Sequence, residues 1–173
     1  MRRFLLALSL LCAAHAAAAS STIPAKGTIE VAFSPNGGAT ALVVKTIADA
    51  KKSILVQAYS FTSAPIAQAL AQAKERGVDV RVLLDKSQKS ERYTVATYLS
   101  HHGIPTWIDQ QHAIAHNKVM VIDGDTVITG SFNFTKAAEE KNAENVIVLR
   151  GNPGLANVFA ANWIKHQTHS ERY

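Results

Sequence analysis

The chain has 173 residues, with 18 Lys and Arg against 13 Asp and Glu, and a single cysteine. That length suits one domain that buries its own hydrophobic core. Because Cys12 lies in an N-terminal segment that we expect to be removed, the composition excludes disulfides, a thiolate nucleophile and a zinc–sulfur site from the remaining chain.

The first 19 residues have the pattern of a secretory signal peptide. Arg2 and Arg3 form a basic start, residues 4–14 form an apolar run, and residues 14–19 offer several cleavage sites between small side chains. The apolar run is too short to span a bilayer comfortably. We therefore predict a single mature domain over residues 20–173, periplasmic or secreted, with no stable membrane association. Its mildly basic charge suits a polyanionic substrate.

Strands and helices alternate through the first part of this domain, and closely spaced strands follow. The pattern predicts an α/β fold in which one mixed sheet carries helices on both faces. The predicted strands are 28–34, 53–59, 78–84, 104–108, 116–122, 126–130 and 145–149. The predicted helices are 39–51, 63–76, 93–101 and 153–167.

A histidine, a lysine and an aspartate stand at fixed spacing in the fifth predicted strand. His116 and Lys118 are two residues apart, so they point to the same side of a strand, and Asp123 follows five residues after the lysine. No other histidine has a lysine two residues later, so the motif occurs once. An imidazole can act as nucleophile or base on a phosphodiester, and an ammonium can neutralise the phosphoryl oxygens.

Three more polar residues are predicted to return to the same place. A tight turn after the motif pairs its strand antiparallel with the next one, which sets the motif opposite residues 129–133. Ser131 and Asn133 lie in that stretch, and Glu144 stands at the start of the following strand. We therefore expect a hydroxyl, an amide and a carboxylate beside the histidine and lysine.

The His-x-Lys-x4-Asp (HKD) motif, the string Gly-Ser-x-Asn-Phe-Thr from residue 130 and the downstream glutamate together resemble the phospholipase D superfamily. With one motif copy in a short chain, the sequence is similar to that superfamily's bacterial non-specific endonucleases, and more distantly to Zucchini-type proteins of the piRNA pathway. The resemblance runs from around Ile29 to around Trp163 and implies a phospholipase D-like fold. It also implies that His116 forms a phosphohistidine while a second motif histidine protonates the leaving oxygen. Because one chain supplies one such histidine, we predict a two-fold homodimer with the site on its axis.

The remaining motif residues are assigned supporting roles. We expect Lys118 and Asn133 to bind phosphoryl oxygens and Ser131 to add a hydrogen bond. Glu144 is expected to accept a hydrogen bond from the second nitrogen of His116, which would fix the tautomer of the ring and raise its basicity.

Some neighbouring residues have two interpretations. Asp123 ends its strand at the turn, so a structural role is favoured over a chemical one. Tyr59 and Phe61 end a strand that faces the site, where core packing is favoured and base stacking is the alternative. His112 is interpreted as an exposed loop residue, with substrate contact as the alternative.

Basic and histidine pairs elsewhere give weaker signals. Three cations in the polar loop after the third strand fit a solvated loop or a DNA-contact loop equally well. Two histidine pairs resemble pairs of metal ligands. We expect both pairs in solvent near helix ends, so neither a metal nor a cofactor is predicted. The loop cations are Lys86, Lys89 and Arg92, and the pairs are His101 with His102 and His166 with His169.

Three functions compete on this sequence. The favoured one is a metal-independent endonuclease that hydrolyses DNA, with RNA as a further candidate, and ignores base sequence. A lipid phosphodiesterase of phospholipase D type is the main alternative, although no amphipathic segment for acyl chains is evident after the signal. A non-catalytic nucleic-acid-binding module is disfavoured by the complete set of His, Lys, Asn and Glu.

Overall fold

The computed structural model describes residues 20–89 and 95–173. The predicted signal peptide and the loop cation Arg92 therefore lie outside the described residues. Within them, no helix is long and apolar enough to cross a membrane.

Eight strands form one mixed sheet in the order β1-β7-β6-β5-β2-β3-β4-β8. Strands β2, β3 and β4 are parallel, and every other neighbouring pair is antiparallel. The strands are β1 Thr28–Ser34, β2 Ser53–Ala58, β3 Asp79–Asp85, β4 Thr106–Asp109, β5 Lys118–Ile122, β6 Thr126–Gly130, β7 Glu144–Arg150 and β8 Glu171–Arg172. The helices are α1 Ala39–Asp49, α2 Ala64–Glu75, α3 Val95–His101, α4 Lys136–Glu140 and α5 Pro153–Gln167.

Both faces of the central strands are covered, which explains why β5 is apolar without alternation. Met120 and Ile122 face a large core that includes residues of α1, α2 and α3. Val119 and Val121 face the opposite way, against Ala156 of α5. A strand buried on both faces carries apolar residues throughout. The predicted α/β fold with helices on both faces is thus confirmed.

The structure differs from the sequence prediction in short elements. The fourth and fifth strands begin at Thr106 and Lys118 and not at residues 104 and 116, and one α-helix and one strand were not predicted at all. The first is α4, a five-residue helix capped by the side chain of Thr135. The second is β8, a two-residue strand that pairs with β4 at the edge of the sheet. Elements this short carry no measurable periodicity in the sequence.

The hairpin between β5 and β6 turns at Asp123, which adopts a positive φ of 54°. Its carboxylate accepts hydrogen bonds from the backbone amides of Lys51, Lys52 and Ser53, at 2.8, 2.7 and 2.9 Å. Burial would raise the pKa of Asp123, but these three bonds outweigh it, so the pKa lies below its ordinary value. The carboxylate thus ties the turn to the start of β2.

Candidate active site

His116 and Lys118 lie at the end of the sheet where β5 begins. The Nζ atom of Lys118 donates to the backbone oxygen of His116 at 2.9 Å and lies 3.1 Å from Nδ1 of the same residue. The Tyr59 ring lies 4.6 Å from the His116 ring between centroids, and its centroid is 5.3 Å from Nζ. Lys118 is only 8% exposed. An imidazole, an ammonium and an aromatic ring therefore form one compact group.

The charge on Lys118 is influenced by two opposing effects. Burial lowers the pKa of its ammonium, and the negative charge of Glu144 acts in the opposite direction. The net pKa lies below the ordinary value for lysine. An incoming phosphate would act in the same direction as Glu144 and favour the charged form.

Asn133 lies just beyond the end of β6, and that end of β6 is next to the start of β5 in the sheet. Phe132 and Phe134 are each 1% exposed, whereas Ser131 is exposed and Asn133 is partly buried. Phe134 also forms a bridge with Phe61, which follows β2. The Oδ1 atom of Asn133 is buried and has no hydrogen-bond partner among residues 20–89 and 95–173. Since buried polar atoms are rarely left unpaired, this amide is a candidate ligand-binding group.

The hydroxyl of Ser131 is held by the start of β7. Its Oγ accepts from the backbone N and the side-chain Nδ2 of Asn145, at 3.1 and 3.3 Å. The preceding residue, Gly130, has φ of 148°, and a Cβ there would lie 2.3 Å from the backbone oxygen of Asn145. Glycine is thus required for the close approach that brings Ser131 to β7.

Glu144 has a hydrogen-bond partner other than the expected His116, and its role toward that histidine stays a prediction. Glu144 accepts from Nδ2 of Asn142 at 3.1 Å, and the described residues show no hydrogen bond between Glu144 and His116. Nδ1 of His116 lies 3.1 Å from Nζ of Lys118. The lysine side chain reaches back from the first residue of β5 to the histidine two residues before it, a contact that the sequence does not predict.

Phe61 and Tyr59 differ in burial, and the two described lysines of the polar loop have partners. Phe61 is fully buried, in keeping with the favoured core role, while Tyr59 is half-buried against His116. Lys86 donates to the backbone oxygen of His112 at 3.0 Å, and Lys89 forms an ion pair with Glu171 at 3.1 Å. Both lysines therefore have partners within the chain.

Three histidines gather around one buried carboxylate: His112 is an exposed loop residue, as favoured, but His166 and His169, at and just after the end of α5, are only partly exposed, contrary to expectation. Asp109, at the end of β4, is completely buried and faces His112, His166 and His169, and we call these four residues the Asp109 cluster. Burial would raise the pKa of Asp109, but the hydrogen bonds from His166 and His112 outweigh it and hold the pKa far below its ordinary value. His102 lies elsewhere and is exposed, with Nδ1 2.8 Å from the oxygen of Tyr98.

A family model described as cardiolipin synthase, PLD-like domain, matches residues 43–165, which include the whole motif. The chain belongs to the phospholipase D superfamily. A protein named phospholipase D from Rickettsia prowazekii (strain Madrid E) is 41% identical over 145 residues, covering 84% of this chain and 70% of that protein. A mitochondrial cardiolipin hydrolase from Xenopus tropicalis is 31% identical over 99 residues, covering 57% of this chain and 47% of that one.

Two solved structures share the fold of this chain. Nuc from Salmonella typhimurium, described as a phospholipase D family member, superposes with a TM-score of 0.82 at 42% identity, covering 84% of this chain and 97% of that one. NucT from Helicobacter pylori superposes with a TM-score of 0.75 at 20% identity, over 84% of this chain and 100% of that one. The phospholipase D-like fold is therefore confirmed, and the matches support a phosphodiesterase-type hydrolase as the class of enzyme.

Proposed function

We propose that the protein is an exported, metal-independent endonuclease that cleaves the backbone of DNA without reading the bases, with RNA as a further candidate substrate. The observation that carries the proposal is the contact of His116 with Lys118 at the end of the sheet where β6 leads to Asn133, whose buried oxygen has no partner among the described residues. Rotation of an amide exchanges its oxygen and nitrogen, so the unpartnered atom of Asn133 can be replaced by an N–H that faces a phosphoryl oxygen. Lys118 supplies the positive charge for a second oxygen.

The reaction would proceed in two displacements. Nε2 of His116 attacks phosphorus, the bond to the leaving oxygen breaks, and that oxygen takes a proton from the partner subunit's His116. Water then attacks the phosphohistidine and gives its proton to the partner subunit's His116, and the phosphorus–nitrogen bond breaks. Atoms and protons balance without a metal ion.

The contact between Lys118 and His116 must change when substrate binds. An ammonium can only donate, so Nδ1 offers its lone pair to Nζ and the neutral ring carries its proton on Nε2. Nucleophilic attack requires a lone pair on Nε2. A phosphoryl oxygen that draws Nζ away would leave Nδ1 free to hold the proton, so binding of the substrate would itself activate the nucleophile.

An uncovered apolar stripe supports the two-fold dimer. Ile29, Val31 and Phe33 alternate along the edge strand β1 and are 62%, 49% and 63% exposed. Phe33 is directly opposite Asn145, so the stripe reaches the end of the sheet that carries the site. A two-fold contact through this stripe would bury it and bring two copies of His116 toward one axis.

The same stripe favours one second candidate, a lipid phosphodiesterase. Exposed apolar side chains beside the site could contact a membrane surface, and the Rickettsia relative carries the name phospholipase D. The two candidates differ in what Phe33→Ser does. It should weaken dimerisation and nicking together if the stripe binds a second subunit, and it should weaken vesicle binding without changing the oligomeric state if the stripe binds lipid.

A plasmid-nicking assay in EDTA, run beside hydrolysis of phosphatidylcholine and cardiolipin vesicles, tests the proposal. We expect supercoiled plasmid to be converted to nicked and linear forms in EDTA by the wild-type protein and by the control variant His102→Ala, and not by His116→Ala. Lipid hydrolysis without nicking would refute the endonuclease and establish the second candidate.

Export is tested separately, because it depends on residues 1–19 alone. Expression of the full chain in a Gram-negative host, followed by fractionation and N-terminal sequencing, should give a periplasmic protein that begins near residue 20. Retention of Met1 on a cytoplasmic product would refute export without affecting the proposed chemistry.

A further inference from the structure

The Asp109 cluster places three imidazoles against a single carboxylate oxygen. Oδ2 of Asp109 lies 2.8 Å from Nδ1 of His112, 2.9 Å from Nδ1 of His166 and 3.5 Å from Nε2 of His169. The four ligand atoms all lie within 4.8 Å of one another. Four protein ligands at zinc–ligand distances of about 2.0–2.1 Å lie roughly 3.4 Å apart in a tetrahedron. That spacing falls within the range seen here, so small side-chain rotations would complete the geometry.

The other oxygen of Asp109 is already fixed. Oδ1 accepts from the backbone amides of Gln111 and His112, at 3.0 and 3.3 Å. Hydrogen bonds of this kind orient a ligating carboxylate and leave its second oxygen for the metal. The carboxylate is completely buried, whereas its three histidines are 43%, 15% and 24% exposed, in chain order. His112 is the most exposed and lies where an ion would enter.

The donor set identifies the class of ion. Imidazole nitrogens with one carboxylate suit Zn²⁺ and neighbouring transition metals, whereas Mg²⁺ and Ca²⁺ are bound by oxygen ligands. Without an ion, one carboxylate oxygen would be the common acceptor of all three rings, two of which, His112 and His166, are stacked 4.6 Å apart. A cation at the centre would bind all four groups at once.

We propose that Asp109, His112, His166 and His169 form a structural binding site for one Zn²⁺-like ion. Four protein ligands leave no open position, which is the arrangement of structural rather than catalytic zinc sites. The ion would join the end of α5 and the turn after it to the end of β4.

The site would also hold in place the segment of chain that precedes His116. His112 lies in the segment between β4 and β5, and the amide of Ala115 in the same segment donates to Asp85 at 2.7 Å. His116 follows directly. The ion and Asp85 would thus hold two points of the segment that delivers the nucleophile, while the ion itself takes no part in the reaction.

Titration of tag-free, chelator-treated protein with Zn²⁺ tests this site, with Mg²⁺ as the control ion. Calorimetry should show one Zn²⁺ per chain and no binding of Mg²⁺. Co²⁺ should give the visible absorption bands of a tetrahedral complex. At free Zn²⁺ of 100 times Kd, the melting temperature should rise by about 5–10 °C.

Variants identify the ligands. His112→Gln and His169→Gln should each weaken Zn²⁺ binding at least tenfold, and His101→Gln, which changes an exposed histidine outside the cluster, should not. Melting of the metal-free variants shows whether they are folded, and the more exposed His112→Gln decides the question if His169→Gln fails to fold. Wild-type protein that binds no Zn²⁺, or unchanged affinity in both cluster variants, would overturn the proposal.

Discussion

The histidine of the active site and the histidines of the Asp109 cluster have opposite surroundings. His116 is exposed, and its Nδ1 lies 3.1 Å from an ammonium. His166 is 15% exposed, and its Nδ1 lies 2.9 Å from a buried carboxylate. At the same end of the sheet as His116, the buried amide oxygen of Asn133 has no partner within the described part of the chain, whereas both oxygens of Asp109 are engaged.

This contrast shows how the neighbours of an imidazole determine its use. A lysine cation near an unpaired amide suits an incoming anion. A carboxylate surrounded by three imidazole rings suits a cation. One fold therefore carries a proposed anion site and a proposed cation site, and the following experiments address them separately.

The largest expected effect is the loss of cleavage in His116→Ala. Removal of the nucleophile should lower the nicking rate on the order of 10⁴-fold or more. The variant should keep its melting temperature and its Zn²⁺ binding, because the residue is exposed and lies outside the Asp109 cluster.

A mixed dimer sharpens this result. Two differently tagged chains, one wild type and one His116→Ala, should form a dimer that is nearly inactive, since it keeps only half of the pair. A mixed dimer with about half of the wild-type rate, or a fully active monomer in sedimentation, would contradict the composite site.

A change of pH should alter the nicking rate less than His116→Ala does, by about tenfold per pH unit on each limb of the pH–rate profile. One imidazole must be neutral to attack and the other protonated to donate, so the profile should be bell-shaped near neutrality or slightly below, with two apparent values that belong to the pair. A rate that rises steadily to pH 9 would exclude two working imidazoles.

Asp123→Ala should lower the free energy of unfolding by about 2–3 kcal/mol, because three backbone amides lose a charged acceptor. Since its pKa is lowered in the folded protein, the stabilisation is present above the ordinary pKa of 3.8 and is lost as pH falls through the lower folded value. Urea unfolding at pH 7 and pH 2 measures this difference.

The matched control for that experiment is Asp125→Ala, two residues along the same turn. The carboxylate of Asp125 accepts from its neighbour Thr126 at 2.8 Å and is not bonded to β2. Asp125→Ala should lower the free energy of unfolding by less than half as much as Asp123→Ala does. Equal losses in the two variants would mean that the bonds to β2 contribute nothing.

The smallest expected effect is that of chelator on the rate. EDTA should change plasmid nicking at 25 °C by less than about twofold, because the reaction uses imidazoles and not a metal. The same treatment should lower the melting temperature if the Asp109 cluster binds an ion. Loss of nicking in EDTA that only Mg²⁺ restores would refute the metal-free mechanism.

Local patterns in the sequence predicted much of the fold and the order of the strands that carry the motif residues. The strands Thr28–Ser34 and Thr126–Gly130 and the helix Pro153–Gln167 have the predicted bounds. Ser131 and Asn133 were placed by the period of a strand and by one turn, both of which depend only on neighbouring residues.

Features that depend on distant residues were not predicted. The Asp109 cluster joins residues 109 and 112 to residues 166 and 169, and no spacing rule connects those positions. The contact between Lys118 and His116 was missed for another reason, since it depends on how a flexible side chain folds back over its own backbone. Side-chain conformation of this kind has no sequence pattern.

The anchored turn at Asp123 has a consequence for the meaning of the motif spacing. Strand β5 has five residues and begins at Lys118, so Asp123 marks the far end of a span of about 17 Å. With that end bound to residues 51–53, the number of residues between Lys118 and Asp123 determines which way the reactive side chains point. One residue inserted between Lys118 and Asp123 would turn Lys118 to the opposite face of the sheet, although every residue of the motif would still be present. The length of β5 thus fixes the number of residues between Lys118 and Asp123. Chains of this type should keep that spacing as strictly as they keep the motif residues themselves.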